Sequence, residues 1–200
     1  MHELLHKTIP ALWLLWLGYW IASAAGTKAD EQRESEMSRR LHYGLILAGA
    51  AVMTFPNMLP PAFSRRLVTE HEFVYWISAA LVALGLGFAC LARASLGANW
   101  SAAVTLKRNH ELIRRGPYRY VRHPIYSGLL LALFGTALET GAWRGVIGFV
   151  LITVAIVYKY KTEERFLARK FGDDYIRYKA ETPALVPFWT LAGKETHDPD

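Results

Sequence analysis

Leu129-Leu-Leu-Ala-Leu-Phe-Gly-Thr-Ala-Leu138, the turn Glu139-Thr-Gly141 and Trp143-Arg-Gly-Val-Ile-Gly-Phe-Val-Leu-Ile-Thr-Val-Ala-Ile-Val-Tyr158 form an apolar hairpin whose only charged residues are Glu139 and Arg144. Two dense polar blocks flank it. The first is His110-Glu-Leu-Ile-Arg-Arg-Gly-Pro-Tyr-Arg-Tyr-Val-Arg-His-Pro-Ile-Tyr-Ser-Gly128, and the second is Glu163-Glu-Arg-Phe-Leu-Ala-Arg-Lys-Phe-Gly-Asp-Asp-Tyr-Ile-Arg-Tyr178. A hairpin that crosses a membrane and returns sets both blocks on one face. Histidine, arginine, tyrosine and paired glutamates then surround one site at the lipid boundary.

Working outward, residues 8–25, 41–59 and 73–91 are further apolar runs, and the hairpin arms cover 124–138 and 143–158. The pattern predicts an all-α fold, an integral membrane helical bundle of about five transmembrane helices. The hairpin arms are short beside the ~20 residues a spanning helix needs. They cross a thinned bilayer or sit partly inside the bundle. The first run has the Ala22-Ser-Ala-Ala sequence of a cleavage site, but Trp13, Trp16, Tyr19 and Trp20 make it bulkier than a signal-peptide core, so it reads as a retained span. Pro56, Pro60 and Pro61 close the second run. Cys90 is the sole cysteine, so no intramolecular disulfide is available.

The basic residues orient the chain. With five spans, nineteen of the 23 Lys and Arg fall on the side of residues 26–40, 92–123 and the C-terminal tail, and four fall on the other. The positive-inside rule then puts the N-terminus outside, the C-terminus in the cytoplasm, and both polar blocks at the cytoplasmic face. In a bacterium this is the inner membrane. The net charge of +6 is spread beside apolar spans rather than in a soluble patch with stacking aromatics, which argues against nucleic acid as a partner. The chain divides into residues 1–95 (helices 1–3), 96–188 (a cofactor-binding region carrying the hairpin) and 189–200 (a polar tail).

Arg122-His123-Pro124 stands where a polar loop enters the fourth span, with Pro124 suited to a first helical turn. The plain alternative is a basic cluster touching lipid phosphate. Glu163-Glu164 is an acidic pair on the basic side. It serves either a cationic cofactor or an arginine, or else simple helix pairs such as Lys159–Glu163, worth ~0.3–0.5 kcal/mol each. Gly85-Leu-Gly87 reads as a packing groove within the third span. P-loop, GxGxxG, HExxH and CxxC motifs are lacking, and no metal ligand set is read.

His110-x-Leu112, Gly116-Pro-Tyr-Arg-Tyr-Val-Arg-His-Pro-x-Tyr-x-Gly128 and Glu163-Glu164-x-x-Leu167-x-x-x-Phe171-Gly-x-x-Tyr175-x-x-Tyr178 resemble the isoprenylcysteine carboxyl methyltransferases, related to membrane phospholipid methyltransferases. The resemblance covers roughly residues 96–188. The final Thr182-Pro-Ala-Leu-Val-Pro-Phe188 follows the family's Val-Pro ending only in part. The resemblance implies an integral membrane enzyme using S-adenosylmethionine, with a cytoplasmic cofactor pocket formed by the loop before helix 4 and the C-terminal helix. His110, Leu112, Gly116, Tyr118, His123 and Pro124 would line that pocket, and Glu163 or Glu164 would hold the cofactor. Arg122, Tyr126 and the two glutamates would lie by a lipophilic methyl acceptor, either an isoprenylcysteine-like carboxylate or a lipid amine. Membrane sterol-type reductases that use NADPH share part of the look, but Val157-Tyr-Lys-Tyr-Lys-Thr162 lacks the His-Arg-x-x-Arg-Asp stretch expected there. A non-catalytic membrane scaffold is the third reading. It is disfavoured because such polar groups are costly near a bilayer without a role.

Overall fold

The computed structural model describes residues 2–24, 30–33, 35–97, 105–107 and 112–187. His110 and the polar tail over 189–200 lie outside the described residues. Five long helices form a bundle: α1 (His2–Ser23), α2 (Glu36–Thr54), α3 (Glu72–Leu96), α4 (Pro124–Thr140) and α5 (Trp143–Phe171). A short α6 (Asp173–Glu181) follows. The fold is helical as expected, apart from a brief antiparallel ladder of β1 (Asp30–Arg33) with β2 (Thr105–Lys107).

Local chemistry sets the boundaries. The Ser35 hydroxyl accepts from the Ser38 amide at 3.2 Å and caps α2. Pro124 occupies the first turn of α4, and Gly141 ends that helix in the left-handed conformation at φ 59°. The expected short fifth span is the first part of a much longer helix. Residues 159–171 are good helix formers that carry the coil past the apolar stretch. At 1.5 Å per residue, the 29 residues of α5 extend about 43 Å, beyond a hydrocarbon core of ~30 Å. The helix stops where Gly172 adopts φ 51°, and the chain turns into α6.

Among the described residues, two helices, Glu72–Leu96 and Trp143–Phe171, are long and apolar enough to cross a membrane, and Pro124–Thr140 is a shorter apolar helix. Their outward faces are apolar, with Trp76, Leu84, Val150 and Val154 all more than half exposed. Small residues let the helices meet inside. A Cβ on Gly85 would stand 2.5 Å from the Gly128 carbonyl oxygen, so α3 and α4 touch backbone to backbone. Gly85 is therefore a packing residue. Gly49 of α2 and Gly148 of α5 repeat the device on the other side of the bundle.

These contacts order the helices α1, α3, α4, α5, α2, while α1 and α2 make little contact with each other. A cleft between them is the result. At the end of the bundle remote from the polar blocks, the loop after α2 pins the hairpin turn. The Leu67 and Val68 amides both donate to the Gly141 carbonyl, and Arg66 bridges Ala142.

Candidate functional site

The helical period divides α5 beyond Tyr158 into two working faces. Lys159 and Glu163 lie one turn apart, and so do Tyr160 and Glu164. The second face meets the start of α4. There the Arg122 Nε and Nη2 donate to Glu164 Oε1 at 2.9 and 2.6 Å, and Lys179 Nζ of α6 approaches Oε2 at 3.0 Å. His123 Nε2 lies 3.3 Å from the same Oε1. The Arg122 and Glu164 side chains are each only 8% exposed, so this is a desolvated pair held by multiple donors. Burial opposes ionisation of Glu164, but the hydrogen bonds from His123, Arg122 and Lys179 outweigh it and hold the carboxyl well below the usual carboxylate range.

The segment over residues 182–185 locks this cluster. The Arg122 and His123 amides donate to the Pro183 and Ala184 carbonyls at 2.9 and 3.0 Å, and the Ser127 hydroxyl donates to Leu185 O. The Arg122 Nη1 donates to the carbonyls of Thr182 and Lys179. The Tyr178 hydroxyl donates to Tyr118 O at 2.6 Å, tying α6 to the 3-10 turn Gly116–Arg119. The Arg114 guanidinium lies 5.1 Å from the Tyr178 ring centroid and donates to Asp174 O. Burial pushes the Tyr178 hydroxyl up to about 12, against the pull of Arg122 and Arg114. Burial and the nearby Glu163 charge push Tyr118 well above the ordinary tyrosine value. Both tyrosines therefore stay protonated donors near neutral pH.

The other face of α5 looks into a cavity of about 850 Å³. The Tyr126 hydroxyl donates to Glu163 Oε1 at 2.6 Å, and His123 Nδ1 lies 3.8 Å from Glu163 Oε2. From this polar mouth, marked by Tyr118, His123, Glu163 and Tyr178, the cavity runs along the cleft between α1 and α2. Its apolar length is walled by Trp13, Trp16 and Trp20 on one side and by Tyr43, Ile46 and Met53 on the other. Trp16 and Trp20 stack at 4.8 Å between centroids.

Leu112, Tyr118, Arg122, His123, Tyr126 and Glu163 thus line one cavity. Gly116 and Pro124 shape the backbone behind it: Gly116 opens the 3-10 turn at φ 60°, and Pro124 starts α4. Glu164 turns away from the cavity into the Arg122 cluster. Sequence reasoning took Lys159 only as a helix-pair partner of Glu163 and missed Lys179 and Thr182. Lys159 was visible as the residue one turn before Glu163. The carbonyls that fix Arg122 carry no side-chain signal. The three tryptophans were read only as bulk, and their place on the cavity wall follows from the packing order.

The family model of the phospholipid methyltransferases matches residues 73–174. Among curated proteins, the protein-S-isoprenylcysteine O-methyltransferase of Schizosaccharomyces pombe is 35% identical over 112 residues, covering 51% of this chain and 48% of that protein. The cobalt-zinc-cadmium resistance protein CzcN of Cupriavidus metallidurans is 33% identical over 119 residues, covering 58% and 53% respectively. The chain therefore spans about half the length of these relatives. A solved structure of the eukaryotic intramembrane Ras methyltransferase, an isoprenylcysteine carboxyl methyltransferase, aligns with 74% of the chain at 22% identity and a TM-score of 0.36.

Proposed function

The chain belongs to the phospholipid methyltransferase family, and we propose that it is an integral membrane methyltransferase that moves a methyl group from S-adenosylmethionine to a lipophilic acceptor. The observation that carries this reading is the position of Glu163. Its carboxylate faces the cavity at the junction between a polar mouth and an apolar channel reached between helices. We place five spans in the bilayer, with the N-terminus outside and the polar mouth in the cytoplasm. Residues 96–188 form the catalytic half and 1–95 supply much of the lipid-side wall.

The residues at the mouth fit such a cofactor. A sulfonium cation is favoured by a carboxylate and by aromatic faces, and Glu163 stands among Tyr118, Tyr126 and Tyr178. The cavity is at the upper end of the ~300–1,000 Å³ usual for one ligand, which suits a cofactor and a lipid together. When bound, S-adenosylmethionine would supply an electrophilic methyl group on a cationic sulfur, which would leave with the C–S bonding pair as the acceptor's nucleophile bonds to the methyl carbon. The protein's work is then alignment and exclusion of water. Glu163, with Leu112, Tyr118 and His123, would hold the donor, and Tyr126 would fix the Glu163 carboxylate. Glu164, Arg122 and Lys179 would keep the α4 start and α6 in register around it. The acceptor follows the cleft between α1 and α2, laying its apolar part against the tryptophans. Isoprenylcysteine-like carboxylates and lipid amines are both compatible with this channel.

Calorimetry with S-adenosylhomocysteine on detergent-purified protein, with NADPH run in parallel, tests the class. Saturable binding of S-adenosylhomocysteine alone is expected. Binding of NADPH alone would transfer the protein to the reductases, and binding of neither would remove the cofactor assignment.

A further inference from the structure

The cavity between α1 and α2 is apolar over only part of its length, and two helices measure that part alike. On α4 the lining runs from Tyr126 through Leu129 and Leu133 to Thr136, along one helical face. From Tyr126 to Thr136 the helix axis advances about 15 Å. On α2 it runs from Tyr43 through Ile46 and Met53 to Thr54, about 16 Å. Beyond Thr136 the lining turns polar, with Glu139, Thr140 and Arg144. These groups are already partnered. Trp13 Nε1 donates to Thr136 Oγ1 at 3.0 Å and joins the α1 wall to α4. The Thr136 and Thr140 hydroxyls donate back to the Ala132 and Thr136 carbonyls, each at 2.9 Å. Arg144 Nη1 donates to Met53 O and joins α5 to the end of α2, and Glu139 has an interaction of its own.

We propose that this polar collar gauges the tail of the acceptor, so that the cavity takes a single aliphatic chain of about twelve carbons. The assignment of that chain to a methyl acceptor rests on the methyltransferase reading. A C–C bond of ~1.52 Å advances an extended chain by about 1.25 Å, so ~15 Å holds about twelve bonds. Within that length each methylene lies against leucine, isoleucine, methionine or tryptophan. Past Thr136 a methylene strips water from the Glu139 and Arg144 charges and returns no hydrogen bond to them. A shorter chain leaves apolar wall uncovered, and a longer one meets the collar. The gauge works at the end of the cavity remote from Glu163. It therefore selects by tail length whatever the head group is.

Trp13, Trp16 and Trp20 on the cavity wall provide the readout. The full-length protein in mixed micelles is titrated by tryptophan fluorescence with two straight-chain series, alkanoic acids and alkylamines, of eight to twenty carbons. Affinities are referred to the mole fraction of ligand in the micelle, which cancels the tail's own preference for detergent over water. Both series should peak near twelve carbons, with sixteen carbons about tenfold weaker, the cost of one polar group desolvated without a partner. Thr136→Val and Arg144→Met should each shrink that drop, and the double variant should remove it. Thr136→Ser and Arg144→Lys, which keep the hydroxyl and the charge, should retain it. S-adenosylhomocysteine binding on each variant should stay at the parent level and reports correct folding. Equal weakening at every tail length in Thr136→Val and Arg144→Met would mark a structural role and overturn the gauge. So would different optima for acids and amines. If the parent binds S-adenosylhomocysteine but shows no optimum, the gauge falls and the methyltransferase reading survives. An optimum near twelve carbons without S-adenosylhomocysteine binding would keep the gauge and remove methyl transfer, and binding of neither would remove both.

Discussion

Glu163 and Glu164 are neighbours in the chain and about 100° apart around α5, and that angle separates their work. Glu164 points into the buried cluster with Arg122, Lys179 and His123, and Glu163 faces the cavity with Tyr126. Glu164→Gln leaves the Arg122 charge buried without its counter-ion, an error that costs about 3–5 kcal/mol in comparable buried pairs. Glu163→Gln breaks no comparable pair. In thermal unfolding in detergent, Glu164→Gln should lower the midpoint by many degrees and Glu163→Gln by little. In calorimetry the rank reverses, and Glu163→Gln loses affinity for S-adenosylmethionine, whose sulfonium is cationic, while remaining folded. Acidification gives an independent check. The folded Glu164 carboxyl titrates below its unfolded value of ~4.3, so its contribution is complete above that value and is lost as pH falls below it. The parent's midpoint should drop through this acid range more steeply than that of Glu164→Gln. Equal slopes would remove Glu164 from the stabilising cluster. The pair was visible in the sequence as a pair, but its division of labour was not, since it depends on the rotation of α5 against α4.

At the scale of elements, the contact of α3 with α4 depends on Gly85 and Gly128. A Cβ on either glycine would collide with the opposite backbone, which cannot rotate away as a side chain can. Gly128→Ala should therefore destabilise by about 1–3 kcal/mol, the usual cost of overpacking. Gly87, two residues from Gly85, has nothing within 4 Å of its would-be Cβ. Gly87→Ala should be neutral or stabilising by up to ~1 kcal/mol through helix propensity. Chemical denaturation in mixed micelles measures both, and similar effects at the two positions would refute the close packing. The helices themselves were legible because apolar runs, Pro124, Gly141 and Gly172 mark their extents in one dimension. Two features were not. The polar block after Tyr158 reads as an amphipathic helix leaving the membrane and interrupted at Gly172, but its unbroken join to the fifth span was missed because hydropathy stops at Tyr158 while helix propensity continues. The lateral order of the helices, which opens the cleft and makes Trp13, Trp16 and Trp20 a cavity wall, arises from pairings far apart in the chain.

At the scale of the whole molecule, the hairpin turn and the loop after α2 share one end of the bundle. The amides of Leu67 and Val68 donate to Gly141, and Arg66 bridges Ala142. The α4–α5 hairpin therefore reaches as far from the polar mouth as α2 and α3 do, although α4 has only 17 residues. If α2 and α3 cross the membrane, the hairpin crosses it too, and the basic mouth and the Ser64 loop lie on opposite sides. With Cys90, the sole cysteine, replaced by serine, single cysteines at Ser64, Trp143 and Arg169 make this measurable. An impermeant maleimide applied to intact cells should label Ser64→Cys and Trp143→Cys, and should label Arg169→Cys only after permeabilisation. Protection of Trp143→Cys alone would mean that the hairpin is re-entrant and separates from the Ser64 loop, contrary to the Gly141 contacts. Inverted labelling of all three would turn the mouth away from the cytoplasm, where S-adenosylmethionine is made, and the proposed cofactor route would fail with it.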